Sequence, residues 1–365
     1  MMGNTPNIRF KGFTDDWEQR KLVDVVDVRS GRDYKHLEEG DIPVYGTGGY
    51  MLSVNEALSD DEDAIGIGRK GTIDNPYILR APFWTVDTLF YAVPLDKYDL
   101  NFVFDIFQNV NWKAKDESTG VPSLSKATIN AVETLMPEYA EQKKIGEYFS
   151  NLDNFITLHQ RKCDETKKLK KFMLQKMFPK KDEKKPEIRF AGFTDDWEQR
   201  KLGEVFQEYS EKNHPELPAL TIIQGGGTVL REKSERKLQY DKSSLAWYKM
   251  VREDDFIVHL RSFEGGLEKS NHNGLISPAY HTFHGDEVDS RFYYPYFRSY
   301  EFIKHKLVPH VYGIRDGRSI DIDGMKTIEI PWTSYEEQKK IGDYIESLDT
   351  LITLHQRKSF FILSI

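Results

Sequence analysis

The chain repeats itself, and that repeat limits its possible folds more than any other feature. Residues 8–22 read IRFKGFTDDWEQRKL and residues 188–202 read IRFAGFTDDWEQRKL, one difference in the whole stretch. A second pair follows: EQKKIG at 141–146 and again at 337–342, each leading into LD and then ITLHQRK. The segments between these landmarks differ in length and in sequence throughout. The order is therefore constant, variable, constant, twice over, which predicts two units built on one duplicated frame with a pseudo-two-fold relation.

A chain of 365 residues predicts two or three domains. With 39% hydrophobic and 30% charged residues it is globular in composition, which excludes full disorder and collagen-like repetition. The solitary Cys163 excludes an internal disulfide and a cysteine-based zinc site, and fits a reducing interior. The opening MMGNTPNIRFKGFTDDW has no apolar signal stretch, and no run approaches the ~18 apolar residues of a membrane span. We read the chain as soluble and cytoplasmic, with no membrane partner.

The net charge of −8 argues mildly against nucleic acid, because phosphate binding is driven by Lys and Arg. Where the charges lie matters more. Residues 23–139 carry −10 and residues 203–334 carry −3, whereas residues 140–187 carry +5. That basic run, which includes Lys167, Lys168, Lys170 and Lys171, reads as a solvated helix face or as a phosphate-facing one.

From Glu141 onward, Ile145, Phe149, Leu152 and Ile156, then Leu169, Met173 and Met177, follow helical spacing until Pro179. A helix of about 35 residues is roughly 50 Å long and must pack on something. Tyr344, Ile345, Leu348, Leu351, Ile352 and Leu354 give the second copy a matching stripe, so an antiparallel helix pair is expected. After HQRK the second copy runs SFFILSI instead of continuing like the first, which we read as a shortened helix from a truncated or frame-shifted reading frame. The variable regions alternate short β-rich runs such as IPVY, AIGIG and DFIVHL with Gly, Pro, Asn and Asp clusters.

Catalytic constellations are few. GIGRKG at 66–71 matches a dinucleotide motif, but TIDNPY follows where a helix should open, so a glycine-permitted loop exposing Arg69 and Lys70 is the better reading. DNPY at 74–77 falls short of a methyltransferase's base-holding signature, and no cofactor loop accompanies it. His281 and His284 have only Asp286 close by and read as ordinary polar residues rather than metal ligands. We expect no catalytic residue, no metal and no cofactor in this chain.

The loops themselves are rich in donors and aromatics. Candidates for DNA contact are Tyr45, Thr47, Gly48, Tyr50, Arg69, Lys70, Thr72, Ser123 and Ser125 in the first variable region. In the second they are Gln224, Arg261, Ser262, Tyr312, Arg315, Arg318 and Ser319. Glycine admits close backbone approach, and these side chains supply hydrogen bonds to base edges. Each arginine has a competing reading as a structural salt bridge. On the constant helices, Gln142, Lys143, Ile145, Phe149, Leu152 and Ile156, with Gln338, Lys339, Ile341, Ile345, Leu348 and Ile352, are candidates for partner docking.

The repeated IRF(K/A)GFTDDWEQRKL segments, the two EQKKIG…LD…ITLHQRK helices, and the loops GRKGTI, FWTVDTLFY, GVPSLSKATI and GIRDGRSID together resemble the specificity subunit of type I restriction-modification systems. The resemblance implies a mixed α/β fold with two loop-rich α+β target-recognition domains joined by two long conserved helices packed as an antiparallel coiled coil. It places the first domain in 1–139, the central helix and basic linker in 140–187, the second domain in 188–334 and a shortened helix in 335–365. It implies a non-catalytic chain that reads a bipartite, gapped target in double-stranded DNA. Two modification subunits using S-adenosylmethionine, and restriction subunits using ATP and Mg, are the implied partners. A stand-alone adenine methyltransferase and a DNA-independent scaffold are the rival readings.

Overall fold

The repeated EQRK forms a strand in both copies, and each strand closes its own variable segment. β1 (Glu18–Lys21) pairs antiparallel with β9 (Glu133–Met136), and β10 (Glu198–Lys201) with β21 (Glu329–Trp332). Leu22 and Leu202, next in the chain, are fully buried. The computed structural model describes residues 6–180, 182–234, 242–313 and 318–363, in two compact units, 1–158 and 159–365.

Between β1 and β9, the first unit contains β2 (Val26–Ser30), β3 (Glu39–Gly46), β4 (Gly49–Val54), β5 (Ala64–Gly68), β6 (Tyr77–Leu79), β7 (Trp84–Thr85) and β8 (Leu89–Pro94). Two helices follow, α1 (Leu100–Asn109) and α2 (Lys126–Asn130). The sheet β2-β8-β5-β6 packs its buried face on α1 through Val26, Ile65, Phe102 and Phe107, and a second sheet runs β4-β3-β7. AIGIG is wholly buried as β5, the pattern of a central strand. Gly68 ends it in a turn so tight that a Cβ would stand 1.9 Å from the Thr72 carbonyl oxygen, and no helix opens there. A pyrophosphate would therefore find no helix N-terminus, as the flanking TIDNPY predicts.

The second unit runs α4 (Leu202–Val205), β11 (Gln207–Tyr209), β12 (Leu220–Ile223), β13 (Gly227–Leu230), β14 (Lys249–Val251), β15 (Phe256–Val258), α5 (Ser262–Gly265), β16 (Glu268–Lys269), β17 (Gly274–Ile276) and β18 (His281–His284). Then come α6 (Ser290–Phe297), β19 (Val311–Tyr312), β20 (Ser319–Ile320) and α7 (Ile322–Lys326). Its sheet is ordered β11-β18-β15-β16, and its core is aromatic, with Phe206, Phe256, Phe292, Tyr293 and Phe297 in mutual contact.

The stripe read from Glu141 onward is one helix, α3 (Tyr139–Lys176), and the unit boundary falls inside it. Its 159–176 part lies in the second unit beside α8 (Tyr335–Leu363). His159 Nδ1 meets His355 Nδ1 at 3.0 Å, Cys163 Sγ points to the Ile352 carbonyl at 4.0 Å, and Lys170 Nζ bonds Asp349 at 2.6 Å. Contact positions fall along α8 as they rise along α3, so these segments run antiparallel. Among the described residues no helix is long and apolar enough to cross a membrane.

The repeated motif builds the same lock in each unit. Arg9 grips the fully buried Glu141 at 2.6 and 2.7 Å, and Arg189 grips Glu337 at 2.6 and 2.8 Å. Gln142 accepts from Asp99 N at 3.1 Å and donates to the Pro137 carbonyl at 2.8 Å. Gln338 does the same with Asp289 N and the Thr333 carbonyl. Gly146 lets α1 approach so closely that a Cβ would lie 2.5 Å from Asp99 Oδ1; Gly342 faces Asp289 Oδ1 in the same way.

This lock corrects part of the docking expectation. Gln142 and Gln338 are 2% and 0% exposed and bonded within their own units, and Ile341, Ile345 and Leu348 are buried in the second unit. Ile145 packs on the core of the first. These residues hold each unit's insert to its own long helix and are turned away from solvent. Lys143, Lys339 and Phe149 stay exposed, and Leu152, Ile156 and Ile352 are half-buried.

Candidate nucleic-acid interface

In the first unit the candidate loops meet around one turn, residues 85–88. Val86 N donates to the Tyr45 carbonyl at 3.0 Å, which ties the 45–50 loop to it. Arg69 N and Lys70 N both donate to the Thr88 carbonyl, at 2.8 and 3.2 Å. The next segment is bound in turn: Leu124 N donates to the Arg69 carbonyl at 3.0 Å and Gly71 N to the Pro122 carbonyl at 2.8 Å. Four stretches distant in sequence thus form one backbone-bonded platform.

On that platform Tyr50 is 63% exposed and stands edge-on to Tyr45, with ring centres 6.4 Å apart. Thr47 and Gly48 occupy the loop tip, where Gly49 has φ 103°, a conformation glycine adopts freely. The Arg69 guanidinium lies 5.7 Å from the Phe90 ring centre and donates to the Asp87 carbonyl at 3.3 Å. Lys70 and Thr72 are exposed. Ser123 is bridged to Lys70 through the backbone. Ser125 has a local duty: it caps α2 by accepting from Thr128 N and donates to Glu117.

The second unit gathers its candidates around α5. Gln224 lies over Gly265, where a Cβ would come within 2.2 Å of its Nε2. Arg261 is exposed at the N-cap of α5. Arg318 donates to Glu264 at 3.3 Å with its guanidinium 4.3 Å from the Phe263 ring centre. Tyr312, 60% exposed, pairs across β19 and β20 with the exposed Ser319. Arg315 lies outside the described residues.

Ser262 requires a correction. It is fully buried, and its Oγ accepts from His259 N at 2.9 Å, so it shapes the turn and offers nothing to a ligand. Burial holds the His259 imidazole below its ordinary value against the opposing pull of Glu268, so its Nδ1 accepts from Arg261 N at neutral pH. The backbone of the QGGG loop that carries Gln224 turns inward. Gly225 N and Gly227 N donate inward to the fully buried Glu268 at 2.7 and 3.2 Å, where Tyr294 and Arg298 also donate. The chain's own carboxylate fills the nest that would otherwise suit an anion.

His281 pairs with Glu208 at 2.7 Å and His284 with buried Asp255 at 2.5 Å, each in its own ion pair. Among the described residues no group of three or more His, Cys, Asp and Glu could hold a metal ion. The 85–88 turn itself escaped sequence reasoning. FWTVDTLFY reads as one loop among several, and only the density of backbone bonds to Thr85, Val86 and Thr88 shows it to be a hub.

The loop platform of the first unit lies within the segment that a family comparison matches. Residues 14–168 match the family described as type I restriction modification DNA specificity domain. Among relatives, it is 26% identical over 267 residues to the type I restriction enzyme MjaVIII specificity subunit of Methanocaldococcus jannaschii, covering 67% of this chain and 62% of that one. It is 25% identical over 265 residues to the putative type I restriction enzyme MjaX specificity subunit of the same organism, covering 70% of this chain and 60% of that one. The match thus spans about three-fifths of the length of these relatives. A solved type I restriction-modification S subunit from M. genitalium shares the mixed α/β fold, with a TM-score of 0.66 at 15% identity over 100% of this chain and 96% of that one.

Proposed function

We propose that this chain is the DNA sequence-specificity subunit of a type I restriction-modification complex. The observation that carries the reading is the match of residues 14–168 to a DNA specificity domain, because that segment contains the entire loop platform of the first unit. The second unit repeats the Arg–Glu–Gln–Gly lock under a platform of different sequence, which suits reading of a second, different half-site. Each platform reads one half of a bipartite, gapped target in double-stranded DNA. The two long helices, packed as an antiparallel coiled coil with a pseudo-two-fold relation, set the gap.

The exposed faces of the helices, with Lys143, Lys339 and Phe149, are where two modification subunits dock. Restriction subunits then join the complex. The chain performs no chemistry itself; S-adenosylmethionine, ATP and Mg act on the partner subunits. Exposed Arg, Lys and Tyr side chains contact the duplex, the cations on phosphates or guanine edges and the tyrosines on bases. Such a protein works in the cytoplasm.

The test is to co-express the chain with a type I modification subunit and map methylated adenines genome-wide by single-molecule sequencing. A gapped, asymmetric motif modified at nearly every occurrence is expected. A folded complex that marks no motif would sink the reading.

A further inference from the structure

The first variable segment is acidic, so its cations should be neutralised by neighbouring carboxylates, and several are. Arg29 pairs with Asp27 and Glu62, Arg80 with Asp63, and Lys113 with Asp74. Arg32 is different: it is exposed, and among the described residues no carboxylate or other acceptor meets its guanidinium. An arginine left unpaired amid so many acids stands out in this domain.

Its backbone, by contrast, is fixed. Arg32 N donates to the Thr85 carbonyl at 2.8 Å, and Gly31 N to the Leu89 carbonyl at 3.0 Å. A Cβ on Gly31 would stand 2.0 Å from the Val86 carbonyl oxygen, so only glycine lets the chain lie this close. The 85–88 turn therefore anchors the backbone of both Arg32 and Arg69 with Lys70, while Lys35 is exposed in the same loop as Arg32. A rigid turn presents cations in an otherwise negative region.

We infer that Arg32 is a further DNA-contacting residue of the first unit, a phosphate contact that with Lys70 fixes the register of the duplex against the 45–50 loop. The inference rests on the proposed DNA-specificity function. A phosphate asks only for a cation within reach, whereas bidentate reading of a base edge needs the guanidinium plane held by hydrogen bonds, and among the described residues none is made to that of Arg32, whose charge is felt by Tyr91. Unpaired, it gives up no internal ion pair when it displaces a counterion from DNA.

The test uses the chain in complex with its modification subunit, a duplex carrying the motif returned by methylation mapping, and fluorescence anisotropy across a salt series. Arg32→Ala should weaken binding about tenfold near physiological salt and reduce the slope of log affinity against log salt by about 1. The methylated motif should stay the same. Arg32→Lys should retain most of the affinity, and Arg80→Ala, whose cation is already paired, should keep the wild-type slope. Wild-type slope and affinity in Arg32→Ala would overturn the inference, as would a motif relaxed at one position in both Arg32 variants, which is the mark of a base reader. If the wild-type complex itself shows no preference for the motif over a scrambled duplex, the proposed function fails instead.

Discussion

Trp17 and Trp197 occupy the same place in two nearly identical segments, yet their indole nitrogens differ. Trp197 Nε1 donates to buried Glu337 at 3.0 Å, and its ring packs against Phe178 and Phe292. Trp17 Nε1 is buried without a partner, and its ring meets Phe102 edge-on. A buried donor bonded to a carboxylate is worth keeping, and an orphaned one is a liability. Trp197→Phe should therefore destabilise the protein by about 1 to 3 kcal/mol, while Trp17→Phe should be near neutral. Urea unfolding of the two variants checks this, and equal losses would contradict it. No sequence reading could separate these residues, because their immediate neighbours are the same. The same limit applies to Ser262 and Gln142, whose polar groups looked available until tertiary contacts showed them turned inward.

At the scale of elements, the two copies differ in how charge is balanced where the long helices meet their units. In the second unit Arg291 on α6 pairs with Asp289, Asp343 and Glu346. Asn101 stands at the corresponding place on α1, and without that cation Asp105 is pushed up to about 7 by burial and then by Asp153 and Asp99. A carboxyl whose folded value is raised stabilises the fold below its unfolded value, near 3.8, and that stability is lost as pH rises through about 7. Asp105→Asn should abolish this loss, so the variant should gain on wild type in urea midpoint between pH 6 and 8.

The antiparallel segments of α3 and α8 should respond with the opposite sign. Burial, and then the charges of Lys358, His355 and Lys162, hold His159 below its ordinary 6.5. A histidine depressed in this way contributes stability that is full above that value and is lost as pH falls through it. Replacing His159 and His355 together by Asn should flatten the urea midpoint between pH 7 and 5; an unchanged pH slope would rule the pair out as its source. The helix stripe itself was legible from spacing alone, because 3.6-residue periodicity survives in any context. Which of its residues faced the unit's own core was not, because both repeats carry the same letters.

Over the whole molecule, the sequence already disclosed the duplicated frame, the loop-rich inserts and the loops that converge. It missed the 85–88 hub and Arg32, because a turn's importance lies in backbone bonds that leave no trace in side-chain pattern. The two platforms make a joint prediction. Arg69→Glu should disturb one half of the methylated motif and Arg261→Glu only the other, as read by methylation mapping of the two variant complexes. Damage by either variant to both halves would mean that the platforms do not read separately.

The lock has a consequence for how such a chain can change. Each frame grips its insert through the main-chain amide of Asp99 or Asp289 and through a glycine that lies against that same capping aspartate. At this joint an amide and a missing side chain ask of the insert only an aspartate at one helix start. An insert that supplies that aspartate, a strand to pair with EQRK and an apolar face for Ile145 or Ile341 should fit the other frame as well, so the two frames are expected to accept one another's cartridges.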